Sequence, residues 1–281
     1  MEPTLPRTTI GVFDSGVGGL SILAELLKAL PECDWVYIAD SGFAPYGERP
    51  DHFVRNRSLH LAHTLIEKRQ CHSVVIACNT ATAIAAPAIR SNWPQIPIIG
   101  VEPGIKPATQ RTRNGKIGVL ATAATLGSSR YRTLVMSYAA QAQLTEQACA
   151  GLALAIENGE LASPEISALL DIYCRPLAEA GVDTVVLGCT HYSFVKEQIA
   201  QRFPAGTQII DTAQAVAQQA RRINAERARA SNSYTEESTA QALNDAHGIR
   251  LLSSDSPERL LHIMRAWIQT DLPLISSQAL S

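Results

Sequence analysis

Two strings, Val74-Val75-Ile76-Ala77-Cys78-Asn79-Thr80 and Val185-Val186-Leu187-Gly188-Cys189-Thr190-His191, each end an apolar β-branched run on a cysteine and then open a helical pattern. Runs of this kind read as buried strands, and in open α/β sheets ligands bind outside the carboxyl ends of the strands. The free N–H groups of the helical turn that follows favour an anion, and the same partial charge is expected to lower a thiol below its free value of about 8.5. One cysteine in such a place is as readily a small buried apolar residue. Two at equivalent positions suggest something else. Thiols on opposite sides of one small ligand could remove a proton from one face of a carbon and deliver another to the opposite face.

Other polar residues gather at the same strand ends. Asp14-Ser15-Gly16-Val17-Gly18-Gly19 follows the first strand directly. It is not a dinucleotide fingerprint, since Ser21 stands where the third glycine is required and the Asp14 carboxylate would repel a pyrophosphate. A tight turn whose glycines let the backbone approach a small substrate fits better, with Asp14 and Ser15 aimed into the site. Ser15 could equally serve as a helix N-cap, whereas a carboxylate at the end of a buried strand requires a partner. Thr122 and Thr125 stand in the corresponding place of the second half. His191, two residues past Cys189, is either a capping residue or a proton carrier whose pKa can sit near working pH.

The elements that would hold these groups come in duplicate. Ile10-Gly11-Val12-Phe13-Asp14-Ser15 is echoed by Ile117-Gly118-Val119-Leu120-Ala121-Thr122, and Asp14 precedes Cys78 by 64 residues while Ala121 precedes Cys189 by 68. Strands are expected at Thr9–Phe13, Trp35–Ala39, Ser73–Ala77, Ile96–Val101, Lys116–Leu120, Thr184–Leu187, Gln208–Ile210 and Ile249–Leu252. Helices are expected at Gly19–Leu30, Asp51–Arg69, Thr80–Ser91, Pro164–Ala180, His191–Arg202, Thr212 to about Arg229 and Pro257–Ile268. The alternation indicates parallel sheets flanked by helices. The class is therefore α/β, with two pseudo-symmetric lobes and the site in the cleft between them. The expected division is residues 1–99 with 211–281 for the first lobe and 100–210 for the second. The polar stretch Ala230–Gln241 reads as a surface loop.

Composition narrows the function further. With 281 residues, 46% hydrophobic, 18% charged and a net charge of −2, the chain can bury a core and offers no strongly basic surface. Arg221, Arg222, Arg227 and Arg229 read as a solvated helix face, so no nucleic-acid partner is expected. Met1 to Thr9 lacks an apolar export core, and the longest apolar stretch, Val74 to Ile89, is broken by polar residues and Pro87, so a soluble, cytoplasmic protein with no membrane partner is expected. None of the six cysteines forms a CxxC pair. Cys71 and His72 would point to opposite faces of a strand, so no metal is expected. The five lysines show no Schiff-base context, and no cofactor is expected.

Taken together, Asp14 to Leu20, Pro45-Tyr46-Gly47, Ala77-Cys78-Asn79-Thr80-Ala81 and Gly188-Cys189-Thr190-His191 resemble the bacterial glutamate racemases, in order and spacing and over nearly the whole chain. The resemblance implies cofactor-independent interconversion of L- and D-glutamate, supplying D-glutamate for peptidoglycan. It implies that Cys78 takes the proton from D-glutamate and Cys189 from L-glutamate. Asp14 would assist Cys78; His191 would assist Cys189, with Glu157 as a further acid nearby. Ser15, Asn79, Thr80, Thr122, Thr125 and Thr190 would hold the ammonium and carboxylate groups of the substrate, and Pro45, Tyr46 and Gly47 would line the site. The chain departs from the family at Ala150-Gly151, where a proline is common. Assembly varies across the family, which allows for a homodimer. Two alternatives are an aspartate racemase of the same superfamily and a two-lobe amino-acid binding protein without catalysis.

Overall fold

The alternation of strand and helix folds into two parallel sheets, seen in a computed structural model that describes residues 7–231 and 247–280. In chain order the elements are β1 (Thr9–Asp14), α1 (Leu20–Ala29), β2 (Asp34–Ala39), α2 (Asp51–His63), β3 (Ser73–Ile76), α3 (Asn79–Asn92) and β4 (Ile98–Gly100). They continue with α4 (Ile105–Arg111), β5 (Lys116–Ala121), α5 (Ala123–Gly127), α6 (Ser129–Tyr138), β6 (Gln143–Ala148), α7 (Leu152–Glu157), α8 (Pro164–Glu179) and β7 (Thr184–Gly188). The last are α9 (Lys196–Ala200), β8 (Gln208–Ile210), α10 (Ala213–Ser231), β9 (Ile249–Ser253), α11 (Pro257–Trp267) and β10 (Leu274–Ala279).

One sheet has the order β10-β9-β2-β1-β3-β4 and the other β6-β5-β7-β8. The run β2-β1-β3-β4 thus has its counterpart in β6-β5-β7-β8, so the repeated strings occupy equivalent strands: β1 matches β5 and β3 matches β7. The central strands read as continuous apolar runs because helices cover both faces. Leu20, Leu23, Leu26, Ala217, Ala220 and Leu260 pack on one face of the larger sheet, and Val54, Leu61, Leu65, Ala85 and Ile89 on the other. The smaller sheet is covered by Leu152, Ile156, Leu170 and Leu177 on one side and by Ile105, Ala108 and Tyr131 on the other. The chain after Asp211 returns to the larger sheet: α10 packs on α1, and β9 pairs with β2.

Several elements differ from the sequence reading. Strands β6 and β10 were not expected. Both are sheet edges of half-exposed, largely polar residues, QLTEQA and LISSQA, and carry no apolar run. The expected strand at Ile96–Val101 shrinks to Ile98–Gly100. The expected helix Asp51–Arg69 ends as a wider π-helical turn over Thr64–Lys68, and His191–Arg202 begins as a 3₁₀ turn, Thr190–Val195, before α9. The arginine face on α10 is only partly solvated, since Arg227 donates to the His72 carbonyl while Arg222 pairs with Glu226. Residues 232–241 of the expected polar loop lie outside the described residues; Ala230 and Ser231 close α10. Among the described residues, no helix is long and apolar enough to cross a membrane.

Candidate active site

Cys78 caps the N-terminus of α3 with an extended backbone (φ −134°, ψ 122°), and Cys189 stands in the same conformation (φ −147°, ψ 134°) before the 3₁₀ turn. The strand-to-helix transition at each site needs such a residue, which carries the chain out of the sheet and into the first turn. Both thiols line one cleft of about 260 Å³. Ser15, Pro45, Tyr46, Gly47, Asn79 and Thr80 form its wall on the side of Cys78, and Thr122, Thr190 and His191 on the side of Cys189. Ala153 of α7 completes it, a residue with no polar signal in the sequence. Asp14, Glu157 and Thr125 stand one layer behind.

On the first side the thiol meets a hydroxyl. The Cys78 S–H donates to Ser15 Oγ at 3.8 Å, and Ser15 Oγ donates to Asp14 Oδ1 at 3.4 Å. Asp14 Oδ2 accepts the Gly19 N–H at 2.6 Å, which satisfies the carboxylate and one open donor ahead of α1. Ser15 does not cap that helix; Gly19 occupies the cap position. Asp14 is fully buried, and burial raises its pKa to about 6, partly opposed by the charge of His191 and helped by that of Glu157. The Cys78 thiol is pushed well above its ordinary range, by burial first and by the Asp14 charge second. This reverses the sequence expectation for Cys78. Its Sγ does accept the Ala81 N–H at 3.5 Å, but one long bond from a helix start does not offset the loss of water.

On the second side the thiol meets an imidazole. Cys189 Sγ lies 3.8 Å from His191 Nδ1, and His191 Nε2 lies 2.7 Å from Glu157 Oε2. His191 and Glu157 are both buried. Burial works against the charge on each, yet the hydrogen bonds win: contacts with Cys189 and then Glu157 raise His191 well above its ordinary value, and the bond from His191 holds Glu157 below the usual carboxylate range. The pair is an imidazolium facing a carboxylate, with the thiol on the far side of the ring.

Loops from one side fit closely against groups of the other. A Cβ at Gly16 would collide with the Glu157 carboxylate, and one at Gly18 with the His191 ring. Gly16 and Gly18 of this turn therefore admit the opposite side's acid and imidazole, whereas the sequence reading assigned the turn's glycines to the substrate. Likewise a Cβ at Gly47 would stand 2.6 Å from Thr122. The loop that carries Gly47 is tied from behind, since Tyr46 donates to Asp40 at 2.5 Å and Arg57 bonds both oxygens of the same carboxylate. Thr80, Thr122 and Thr125 share their hydroxyls over 3.0 to 3.4 Å. Thr125 braces the other two and does not reach the cleft surface. Asn79 donates to the Val101 carbonyl at 3.5 Å.

Asp40, Ser41 and Arg57 were missed in the sequence. Asp40 and Ser41 directly follow β2, so the strand-end rule that singled out Asp14 and Cys78 applied to them as well. Cys71 and His72 do not converge on a site: His72 accepts the Thr9 N–H, and burial raises the Cys71 thiol to about 12. Among the described residues, no cluster of three His, Cys, Asp or Glu side chains could hold a metal.

The family described as Asp/Glu/hydantoin racemase matches residues 14–220. A glutamate racemase of Pseudomonas aeruginosa is 46% identical over 219 residues, covering 78% of this chain and 82% of that protein. Among solved structures, Escherichia coli glutamate racemase in complex with L-glutamate and an activator, UDP-MurNAc-Ala, superposes with a TM-score of 0.81 at 30% identity, over 98% of this chain and 99% of that one. The Francisella tularensis glutamate racemase bound to D-glutamate has a TM-score of 0.79 at 26% identity, over 99% and 98%.

Proposed function

This chain belongs to the Asp/Glu/hydantoin racemase family, and from that premise we propose that it interconverts L- and D-glutamate through two thiols, Cys78 and Cys189. One observation carries the reading. The ends of equivalent strands in two similar sheets bring one thiol each to a single cleft. The substrate follows from the relatives, which are glutamate racemases, two of them solved with one or the other enantiomer of glutamate bound. The aspartate and binding-protein readings have no comparable support.

In the direction from L-glutamate, the Cys189 thiolate takes the α-proton, and the Cys78 S–H gives its proton to the opposite face. The reverse direction exchanges the roles. The imidazolium of His191 stabilises the thiolate at Cys189, and Asp14 receives the Cys78 proton through Ser15 when that thiol must become the base. Each correctly placed acid or base contributes about 10²–10⁴-fold. Ser15, Asn79, Thr80, Thr122 and Thr190 bind the ammonium and carboxylate groups, with the open N–H groups at the starts of α3 and of the 3₁₀ turn favouring negative charge as the α-carbon loses its proton. Thr125 supports this set through its neighbours. All these residues come from one chain, so a homodimer is not needed to complete the site. We assign the reaction to the cytoplasm and its product to peptidoglycan synthesis, and the lobes to residues 1–99 with 211–281 and 100–210.

The test is incubation of pyridoxal-free protein with L-glutamate, and in parallel with L-aspartate, followed by circular dichroism. Decay of the signal to zero with glutamate alone is expected. Decay with aspartate alone would move the substrate, and binding without decay would remove the catalytic reading.

A further inference from the structure

Glu157 is poorly placed to be an anion on its own account. It is buried and ends helix α7, where the helix carbonyls concentrate negative potential. His191 does most to hold it charged, and donors from the side of Cys78 complete its hydrogen bonding. Ser41 Oγ, just past β2, donates to Oε1 at 2.7 Å, and the Val17 N–H donates to both oxygens at 2.9 and 3.2 Å. His191 supplies the remaining close contact at 2.7 Å. Behind the helix, Arg259 of α11 donates to the Glu157 main-chain carbonyl, one of the orphan acceptors of the helix end. Ser41 is the only one of these donors that is a side chain from the side of Cys78 and bonds the carboxylate itself.

We propose that Ser41 is a positioning residue for the Cys189 half-reaction. By donating from the side of Cys78 to Glu157 Oε1, behind the cleft, it fixes the carboxylate that orients His191 beside Cys189, while leaving Cys78 to its own partners. Ser41 does not line the cleft that holds both thiols, and it acts only through Glu157. The inference rests on the two-thiol reading above, in which Cys189 handles the proton of L-glutamate.

Activity alone does not separate a positioning role from general damage, because L- and D-glutamate are mirror images at equilibrium and kcat/KM stays equal in the two directions for any variant. Isotope effects do separate them. With Ser41→Ala, kcat should fall about tenfold, the scale of one hydrogen bond to a charged group. The isotope effect on kcat/KM for α-deuterated L-glutamate should rise, as proton transfer at Cys189 becomes slower relative to transfer at Cys78. That for α-deuterated D-glutamate should fall toward unity. Ser41→Thr, which keeps the hydroxyl, should restore the wild-type pattern. A slower Ser41→Ala enzyme with both isotope effects unchanged, or changed equally, would overturn the role of Ser41. If Ser41→Ala unfolds, Ser41→Cys and Ser41→Thr carry the same comparison. Failure of the underlying reading looks different: wild-type protein would then fail to racemise glutamate, or Cys189→Ala would keep its activity.

Discussion

Cys78 and Cys189 stand at the ends of β3 and β7, equivalent strands in sheets that share one strand order, with nearly the same backbone conformation. One meets a hydroxyl backed by Asp14, over sulfur and oxygen contacts of 3.8 and 3.4 Å. The other meets an imidazole backed by Glu157, with a 2.7 Å bond between ring and carboxylate. A duplicated scaffold thus delivers two thiols symmetrically and leaves their protonation to different partners. Burial dominates at Cys78, where thiol and carboxylate are both driven toward their neutral forms. At Cys189 an ion pair dominates, and it persists in a buried place because donors from the opposite side complete it.

The sharpest way to break this comparison is to remove each thiol. Cys78→Ala and Cys189→Ala should each lower kcat by at least about 10³-fold, with far-UV circular dichroism unchanged. Near-normal turnover in either would end the symmetric account.

A second prediction concerns the carboxylates. Asp14 keeps its proton up to about pH 6 in the folded chain, against 3.8 when unfolded. Between those values the folded state binds more protons, so stability falls as pH rises, and the full loss is present above pH 6. At about 1.36 kcal/mol per unit it amounts to roughly 3 kcal/mol. Urea unfolding should show Asp14→Asn gaining about that much relative to the wild type between pH 4 and pH 8. Glu157, whose folded pKa is depressed, has the opposite sign. Its contribution is present at neutral pH and is lost as pH falls through its folded value, a loss Glu157→Gln should abolish.

Next in size is the ion pair as a unit. His191→Asn and Glu157→Gln should each reduce kcat about 10²-fold, and the double variant little further, because the two act through one contact. Full additivity would mean that they serve separate steps. Smallest is Ser15→Ala, where the bonds are long; a loss of a few-fold in kcat is expected, measured beside the His191 variant. A Ser15 effect as large as that of His191 would make the two sides more alike than their geometry indicates.

Much of this was legible in the sequence because it is carried by strings at strand ends. The cysteines, Asp14 and His191 follow buried runs whose apolar pattern fixes where a strand stops, and the repeat of those runs gave the paired architecture. What escaped depends on contacts between distant segments. Ser41 reaches Glu157 and Asp40 reaches Arg57 only once the chain is folded. The glycines at 16 and 18 could be read as a turn, but the ring and carboxylate they admit lie far along the chain. Edge strands β6 and β10 escaped because half-exposed polar residues carry no hydrophobic period. The state of the Cys78 thiol was misjudged because sequence shows the helix start and not the depth of burial.

The most direct test of the central claim, one thiol for each face of the α-carbon, is the fate of the α-proton in heavy water. L-glutamate is incubated with the wild-type protein to low conversion, and both enantiomers are separated and analysed by mass spectrometry. The account predicts one deuterium at the α-carbon of the D-glutamate formed and protium in the L-glutamate recovered, since each side's thiol exchanges with solvent and the face of removal differs from the face of delivery. D-glutamate that keeps the original proton, or L-glutamate that exchanges as fast as it inverts, would contradict it.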